Sequence, residues 1–398
     1  MKIGILTQPL DINYGGLLQN YALQQVLSRL GHEVYTINRN SRLRLHVRYT
    51  IKQIVRGLLG LPRDILYWEQ LKIRKHCRAF VQKNIITTAL VKTPSKLHEI
   101  VHRYHFDGYL SGSDQVWRPC YSENIYNDFL DFCQAEQGVK RIAYAASFGV
   151  SEWEFSAEQT RECKRLAQFF DAVSVREDSG IKLCRDYLGV DALHVLDPTL
   201  LLDKGDYIHL VEESQEPVSS GELFCYILDE SPAIASAIQA LSAKLSLRPF
   251  EVRAPKTDYH HQRRVNIRDY VVPSPTKWLR AFMDATMVFT DSFHGCVFSI
   301  IFNKPFWVIG NSERGNARFD SLLRLFGLES RRISLSDIDS IDLNTPIDWE
   351  SVHARLAECR KVSMDFLSAS LKVCASERDV SLLTNRSASA AKAQQQSC

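Results

Sequence analysis

The first forty residues alternate between unbroken apolar runs and helical spacing. KIGILT (2–7) is a short apolar run of the kind buried on both faces of a parallel sheet, and QPLDINYGG (8–16) gathers turn residues. Residues 17–32 carry Leu17, Tyr21, Leu23, Leu27 and Leu30 at helical spacing, with Gly31 as the stop. EVYTIN (33–38) alternates as a second strand and completes a β-α-β unit. Further strands are predicted at 106–110, 141–146 and 172–175, each running into Gly, Ser or Asp and then a helix-like stretch. The pattern breaks in the polar segment 211–222 and restarts with the apolar run LFCYILD (223–229). A helix at 231–245, the strand PFEVRA, a helix at 274–285, a strand at 287–289 and a buried helix at 296–302 follow, then a turn and a last strand before Gly310. This is the alternation of an α/β protein with doubly wound parallel sheets, whose ligands sit at the C-terminal ends of the strands. It predicts a Rossmann-like domain at 1–205, a second at 220–345 and C-terminal helices at 346–383. Residues 384–398, small and polar, are predicted to be a disordered tail.

Composition narrows the class. At 45% apolar and 24% charged, the 398 residues are ordinary for a globular protein of two domains. The apolar stretches fall short of the roughly 18–20 residues that cross a bilayer, and the N-terminal apolar run is too short for a signal peptide, which predicts a cytoplasmic protein. The ten cysteines show no C-x-x-C pair and no compact Cys/His cluster, so neither a zinc site nor a disulfide framework is predicted. Reduced, mostly buried thiols are expected instead.

Charge changes the picture more. The net +3 conceals a block at 39–83 with 12 Lys and Arg against Asp64 and Glu69, leaving the rest of the chain net negative. Within it Arg44, Arg48, Lys52 and Arg56 recur every four residues, opposite Val47, Ile51, Ile54, Val55 and Leu58. Such a basic amphipathic helix either lies on an anionic membrane surface or packs its apolar face on the domain core and shows Arg to water. Without interleaved surface aromatics, nucleic acid is not an expected partner.

The candidate chemistry falls at predicted strand-to-helix turns. Gly15 and Gly16 precede the first helix, where free N–H groups favour an anion, or else they only make the turn. Ser113, Asp114, Gln115 and Trp117 follow the strand ending at Leu110 and offer a carboxylate, hydrogen-bond groups and an aromatic platform suited to a sugar, or a capped turn with a core Trp. Ser147 lies in a third turn. Arg176 emerges at a strand end, either to hold a phosphate or carboxylate or to pair with Glu177 or Asp178 at the surface. Asp291, Ser292, His294 and Gly295 bring an imidazole to a helix start, the placement of a general acid or base. Arg314, Asn316 and Arg318 lie in a polar loop after a buried strand.

GGLLQNYALQ around Asn20, SGSDQVW at 111–117, YAASFG at 144–149, VSVRE at 173–177, LDPTLLL at 196–202, TDSFHG at 290–295 and RGNARF at 314–319 resemble, in this order and spacing, the polysaccharide pyruvyl transferase family. The resemblance implies two Rossmann-like domains facing a cleft, the glycosyltransferase type B arrangement, with a C-terminal helix returning to the first domain. It implies phosphoenolpyruvate as donor, a pair of sugar hydroxyls as acceptor, and a role in cell-surface or exopolysaccharide synthesis, with no cofactor or metal. Addition of two hydroxyls to the enol carbon, protonation of the neighbouring carbon and loss of phosphate require cations, an acid and a base. Arg176 and His294 match the family's arginine and histidine. Ser292 stands where many members carry a further Arg, so Arg318 or Arg314 is the expected substitute, with Ser292, Gly295 and Ser147 also around the donor. Asp114 is the expected base. Gly15, Gly16, Asn20, Ser113, Gln115, Trp117, Asp291 and Asn316 are expected to line the acceptor side or the cleft. A polyprenyl-diphosphate-linked acceptor would give the basic block a partner at the inner face of the membrane. Two other readings stay open: a nucleotide-sugar glycosyltransferase on the same fold, and an inactive membrane-surface scaffold for polysaccharide assembly.

Overall fold

A computed structural model describes residues 1–39, 47–61, 63–256, 266–310, 315–338, 340 and 342–372. Arg314, the part of the basic block at 40–46 and the predicted tail at 384–398 lie outside these residues. The first sheet comprises β1 (Lys2–Leu6), β2 (Glu33–Thr36), β3 (Gly108–Ser111), β4 (Lys140–Ala146), β5 (Ala172–Val175) and β6 (Leu193–His194), in the order β2-β1-β3-β4-β5-β6. The second comprises β7 (Leu223–Tyr226), β8 (Pro249–Phe250), β9 (Met287–Thr290), β10 (Phe306–Ile309) and β11 (Arg332–Ile333), in the order β11-β10-β9-β7-β8. Every pairing is parallel. Numbered within its own half, the second sheet repeats the strand order of the first, a topological repeat that no sequence repeat announces.

That order fixes where a site forms. The winding reverses between the first and third strands, and the loops leaving them part to open a crevice. The reversal lies between β1 and β3 in the first domain and between β7 and β9 in the second. The central strands are apolar because helices cover both faces: Ile3, Ile5, Leu110, Ile142 and Val288 are fully buried. The protein is thus an α/β molecule of two Rossmann-like domains facing a cleft, the arrangement called glycosyltransferase type B-like.

The first helix is Tyr14–Arg29, three residues longer at its start than the apolar spacing predicts. Asn13 caps it by accepting from Gly16 N at 3.2 Å, so Gly15 and Gly16 form its first turn rather than a loop before it. Glycine is a poor helix former, by about 1 kcal/mol relative to Ala, which hides this turn from propensity. The helix Phe293–Ile301 likewise begins earlier than predicted and takes His294 into its first turn. The C-terminal helix Trp349–Ser370 returns to the first domain: Arg360 donates to Leu200 O and Leu202 O at 2.5 and 2.6 Å, and Ser363 Oγ accepts from Leu196 N at 3.0 Å.

The basic block contains the helix Val47–Leu58, but the packing reading of it is overturned. Ile51, Ile54, Val55 and Leu58 are exposed, so its apolar face does not pack on the core. The eight described cysteines are free thiols, six of them buried. Among the described residues no helix is long and apolar enough to cross a membrane.

Candidate active site

Loops leaving parallel strands of both domains converge in the cleft. Asp114 follows β3, Arg176 follows β5, Asp197 follows β6, and His294 follows β9. Arg318 joins them from the helix Ala317–Phe326. Arg176 Nη1 donates to Asp197 Oδ2 at 2.9 Å, and its Nη2 to Asp114 Oδ1 at 3.4 Å. His294 Nε2 stands 3.6 Å from the same Asp197 oxygen, an electrostatic contact longer than a hydrogen bond. The guanidiniums of Arg176 and Arg318 lie 4.5 and 5.9 Å from the centre of the Phe293 ring, so two cations share one aromatic surface.

All five side chains are buried, and their charges set one another. Burial alone would raise the Asp197 carboxyl, but His294, Arg176 and the Thr199 hydroxyl outweigh it and hold the carboxyl well below the usual range. Burial also disfavours charge on Arg176, yet Asp197, Asp114 and Glu177 more than compensate and raise its pKa. Arg318 goes the other way: burial, with repulsion from Arg176, brings it down to about 10. It remains a cation at neutral pH. The cluster is a buried, hydrogen-bonded set of charges suited to an anion with more than one acidic group.

Backbone geometry holds the charges in place. Asp114 and Ala145 adopt left-handed conformations, at φ +68° and +48°, which non-glycine residues avoid except where surrounding structure imposes them. Gly15 lies against the imidazole: a Cβ there would sit 2.1 Å from His294 Nδ1. Gly315 has φ +89°, and a Cβ there would sit 2.1 Å from the carbonyl oxygen of Gly149. At both points the domains meet through glycine because nothing larger fits.

Several residues expected at the site have other positions. Trp117 is fully buried, stacked on Phe129 at 4.7 Å, with its indole N–H on Asp128 O; it is a core residue with no face for a sugar. Asn20 is buried and bonded to Thr36 Oγ1. Ser147 Oγ donates to Glu177 at 3.0 Å rather than pointing at a donor. Gly295 packs on Thr290, where a Cβ would meet the hydroxyl at 2.2 Å. Asp291 braces the loop after β7 by accepting from Leu228 N and Asp229 N at 2.7 and 3.0 Å, away from a role beside His294. Gln115 is a brace too, its carbonyl accepting from Gln8 and its side chain from Arg118. Asn316 precedes the helix Ala317–Phe326, and Ser292 precedes the helix of His294. Ser113 Oγ donates to Ala145 O at 3.0 Å and lies 3.5 Å from Asp197, while Gly16 approaches Asp114. Arg176 does not pair with its neighbours in sequence.

Asp197 escaped the sequence reading, and Glu177 entered it only as a surface partner for Arg176. Asp197 connects Arg176 to His294 and accepts from Thr199 N and Oγ1 at 3.0 and 2.7 Å. Its one sequence signal was the LDPTLLL stretch, where Asp before Pro reads as a turn residue. Glu177, fully buried, accepts from Ser147 Oγ and from Phe148 N and Gly149 N at 3.0, 2.7 and 3.0 Å, fixing the loop that meets Gly315. A cavity of about 250 Å³ opens in the first domain at Gln8, Arg39, Tyr121 and Asp128, without reaching Arg176 or His294. Among the described residues no group of His, Cys, Asp and Glu could hold a metal ion.

Several solved structures are similar to this chain over most of its length. UDP-GlcNAc 2-epimerase from Methanocaldococcus jannaschii is 11% identical, with 89% of this chain and 98% of that chain covered and a TM-score of 0.48. UDP-GlcNAc 2-epimerase from Neisseria meningitidis is 8% identical, with 91% and 100% covered and a TM-score of 0.44. The spinosyn forosaminyltransferase SpnP is 11% identical, with 91% and 94% covered and a TM-score of 0.43. No curated protein matches the sequence. A family model described as polysaccharide pyruvyl transferase matches residues 13–313, a span that takes in Asp114, Arg176, Asp197 and His294, and the chain belongs to that family of transferases.

Proposed function

We propose that this protein transfers the enolpyruvyl unit of phosphoenolpyruvate onto two hydroxyls of a sugar, forming a cyclic pyruvate ketal in cell-surface or exopolysaccharide synthesis. The observation that carries this reading is the convergence of Arg176 and Arg318 on the Phe293 ring beside His294. A donor with a phosphate and a carboxylate needs two cationic seats close together, and these supply them. Arg318, brought in by the helix Ala317–Phe326, takes the part of the cation that Ser292 lacks. In the reaction each hydroxyl oxygen bonds to C2, the C2–O bond to phosphate breaks, and C3 gains a proton to become the methyl group. One hydroxyl proton balances that on C3, and the other leaves with inorganic phosphate. His294 supplies the proton at C3, Asp114 accepts one from the acceptor, and Asp197 positions both His294 and Arg176. Charge is carried by guanidinium groups, and no cofactor enters the scheme. Because the cluster is buried, substrate enters when the domains part at the glycine contacts.

The test is purified protein with phosphoenolpyruvate and candidate acceptors, reading phosphate release and the acceptor's mass. Acceptor-dependent phosphate release with a ketal-linked pyruvate is expected. Consumption of a nucleotide sugar with none of phosphoenolpyruvate would overturn the proposal. Arg318→Met should raise the donor KM by about 10–150-fold, the range for losing a charged hydrogen bond; an unchanged KM would remove Arg318 from the donor site. Gly15→Ala must displace the His294 ring or part the domains, and a shift of about 1 Å is enough to lower turnover about 100-fold. Wild-type kinetics in that variant would mean that the closed contact is not used.

A further inference from the structure

The helix Val47–Leu58 is amphipathic in an inverted sense. Gln53 is buried and turned to the segment that follows the helix: its Nε2 and the half-exposed Tyr49 hydroxyl donate to the Asp64 carboxylate, and Gln53 Oε1 accepts from Asp64 N at 3.0 Å. Gly57 lies against Arg63 on the same side. At 100° per residue, Ile51, Ile54, Val55 and Leu58 fall on the opposite side. Ile51 is 55% exposed and Leu58 83%, and the apolar ridge runs on into Leu59 at 68%. An amphipathic helix of a globular protein ordinarily buries this stripe. Here the polar side is held to the segment Arg63–Asp64 that follows the helix, and the apolar side faces out.

The charge around the ridge identifies what covers it. The block at 39–83 holds 12 cations and two acids; Asp64 is engaged by Tyr49 and Gln53, Glu69 by Arg63 at 2.7 and 2.8 Å, and Arg39, Arg74 and Lys83 pair with Asp128, Asp11 and Glu213 elsewhere in the chain. Lys52 is exposed on the flank of the ridge, and Lys72, Lys75 and Arg78 are exposed on the adjoining helices. A second copy of the chain would bring the same cation-rich block against this one, a like-charge contact in any two-fold pair. We infer that this helix docks on an anionic phospholipid bilayer, its Ile and Leu side chains inserted at the headgroup boundary and its cations on the lipid phosphates.

The position of the helix gives the docking a use. The insertion reaches the second domain through the apolar contact of Ile65 and Ile73 with Tyr270, where Val272 N donates to Ile73 O at 3.0 Å. It reaches the loop after β1 through Arg74 Nε and Asp11 Oδ1 at 2.6 Å. A bilayer-bound helix therefore holds the β1 side of the cleft near the membrane. Delivery of a membrane-borne acceptor rests on the proposed reaction; the docking does not.

Flotation of the full-length protein with phosphatidylcholine vesicles, with and without phosphatidylglycerol, tests it without any turnover. Binding is expected only to vesicles containing phosphatidylglycerol, and should weaken as salt rises. Lys52→Glu should lower that binding about fivefold or more, and Ile51→Glu with Leu58→Glu about tenfold or more, with melting temperatures unchanged because these side chains face out. Three outcomes would overturn the inference: no binding to anionic vesicles at low salt, binding that survives Ile51→Glu with Leu58→Glu, or a dimer in solution that this pair of substitutions dissolves. A protein that floats but does not consume phosphoenolpyruvate keeps the docking and loses the reaction, and the converse result separates them the other way.

Discussion

Asp197→Ala is expected to destabilise the protein by about 3–5 kcal/mol, the cost of leaving a buried charge without its partner. The Asp197 carboxylate is fully buried and serves Arg176, the Thr199 N–H and hydroxyl, and His294. Without it, the Arg176 side chain, itself 1% exposed, keeps one ion pair, the longer contact to Asp114 at 3.4 Å, beside the face of Phe293. Against a total of about 5–15 kcal/mol for a folded domain, the loss is a large fraction. The pH dependence carries a sign. Asp197 has a lower pKa folded than unfolded, so its contribution is present above the ordinary Asp value of about 4 and disappears only as pH falls through the depressed folded value. Denaturant unfolding should therefore show the full difference between wild type and variant at pH 7, and a smaller one in strong acid. A difference below about 1 kcal/mol at pH 7, the size of an exposed ion pair, would mean that the cluster does not bear on folding.

The same residue marks the limit of what the sequence discloses. Arg176 and His294 were legible because each stands where a strand of recognisable pattern ends, and a parallel sheet puts functional groups at such ends. Their partnership was not, because Asp114, Arg176 and Asp197 come from three separate loops of the first domain and His294 from a helix start of the second, and only the folded cleft brings them together. Asp197 looked like a turn residue because it is one: it caps the turn at Pro198–Leu201 with one oxygen while the other serves the cluster. Trp117 and Asn20 show the opposite error. Trp117 reads as a ligand group because it follows a strand end, and Asn20 because it lies in the GGLLQNYALQ stretch, but whether each faces the cleft or the interior depends on packing, here Phe129 for Trp117 and Thr36 for Asn20. The basic helix was legible as amphipathic, and its orientation was not: the periodicity gives two faces, and only the bonds from Tyr49 and Gln53 to Asp64 decide which one turns inward.

Under the proposed reaction, His294→Gln is expected to lower kcat by about 100- to 10,000-fold, the usual contribution of a positioned general acid. The donor KM should change little, because Arg176 and Arg318 hold the donor. Stability should fall less than in Asp197→Ala, and the geometry says why. His294 Nε2 lies 3.6 Å from Asp197, so the substitution removes an electrostatic contact longer than a hydrogen bond and leaves the Arg176 and Thr199 bonds to that carboxylate in place. Asp197→Ala is the instructive comparison, since it should reduce both stability and turnover by removing the group that holds Arg176 and faces His294. A residue that only filled space beside Gly15 would give a different result, a lowered melting temperature with kcat nearly intact. Steady-state kinetics and thermal melting of His294→Gln, read side by side, decide between the two: retained turnover would take the proton-donor role from His294 and leave it as packing between the domains.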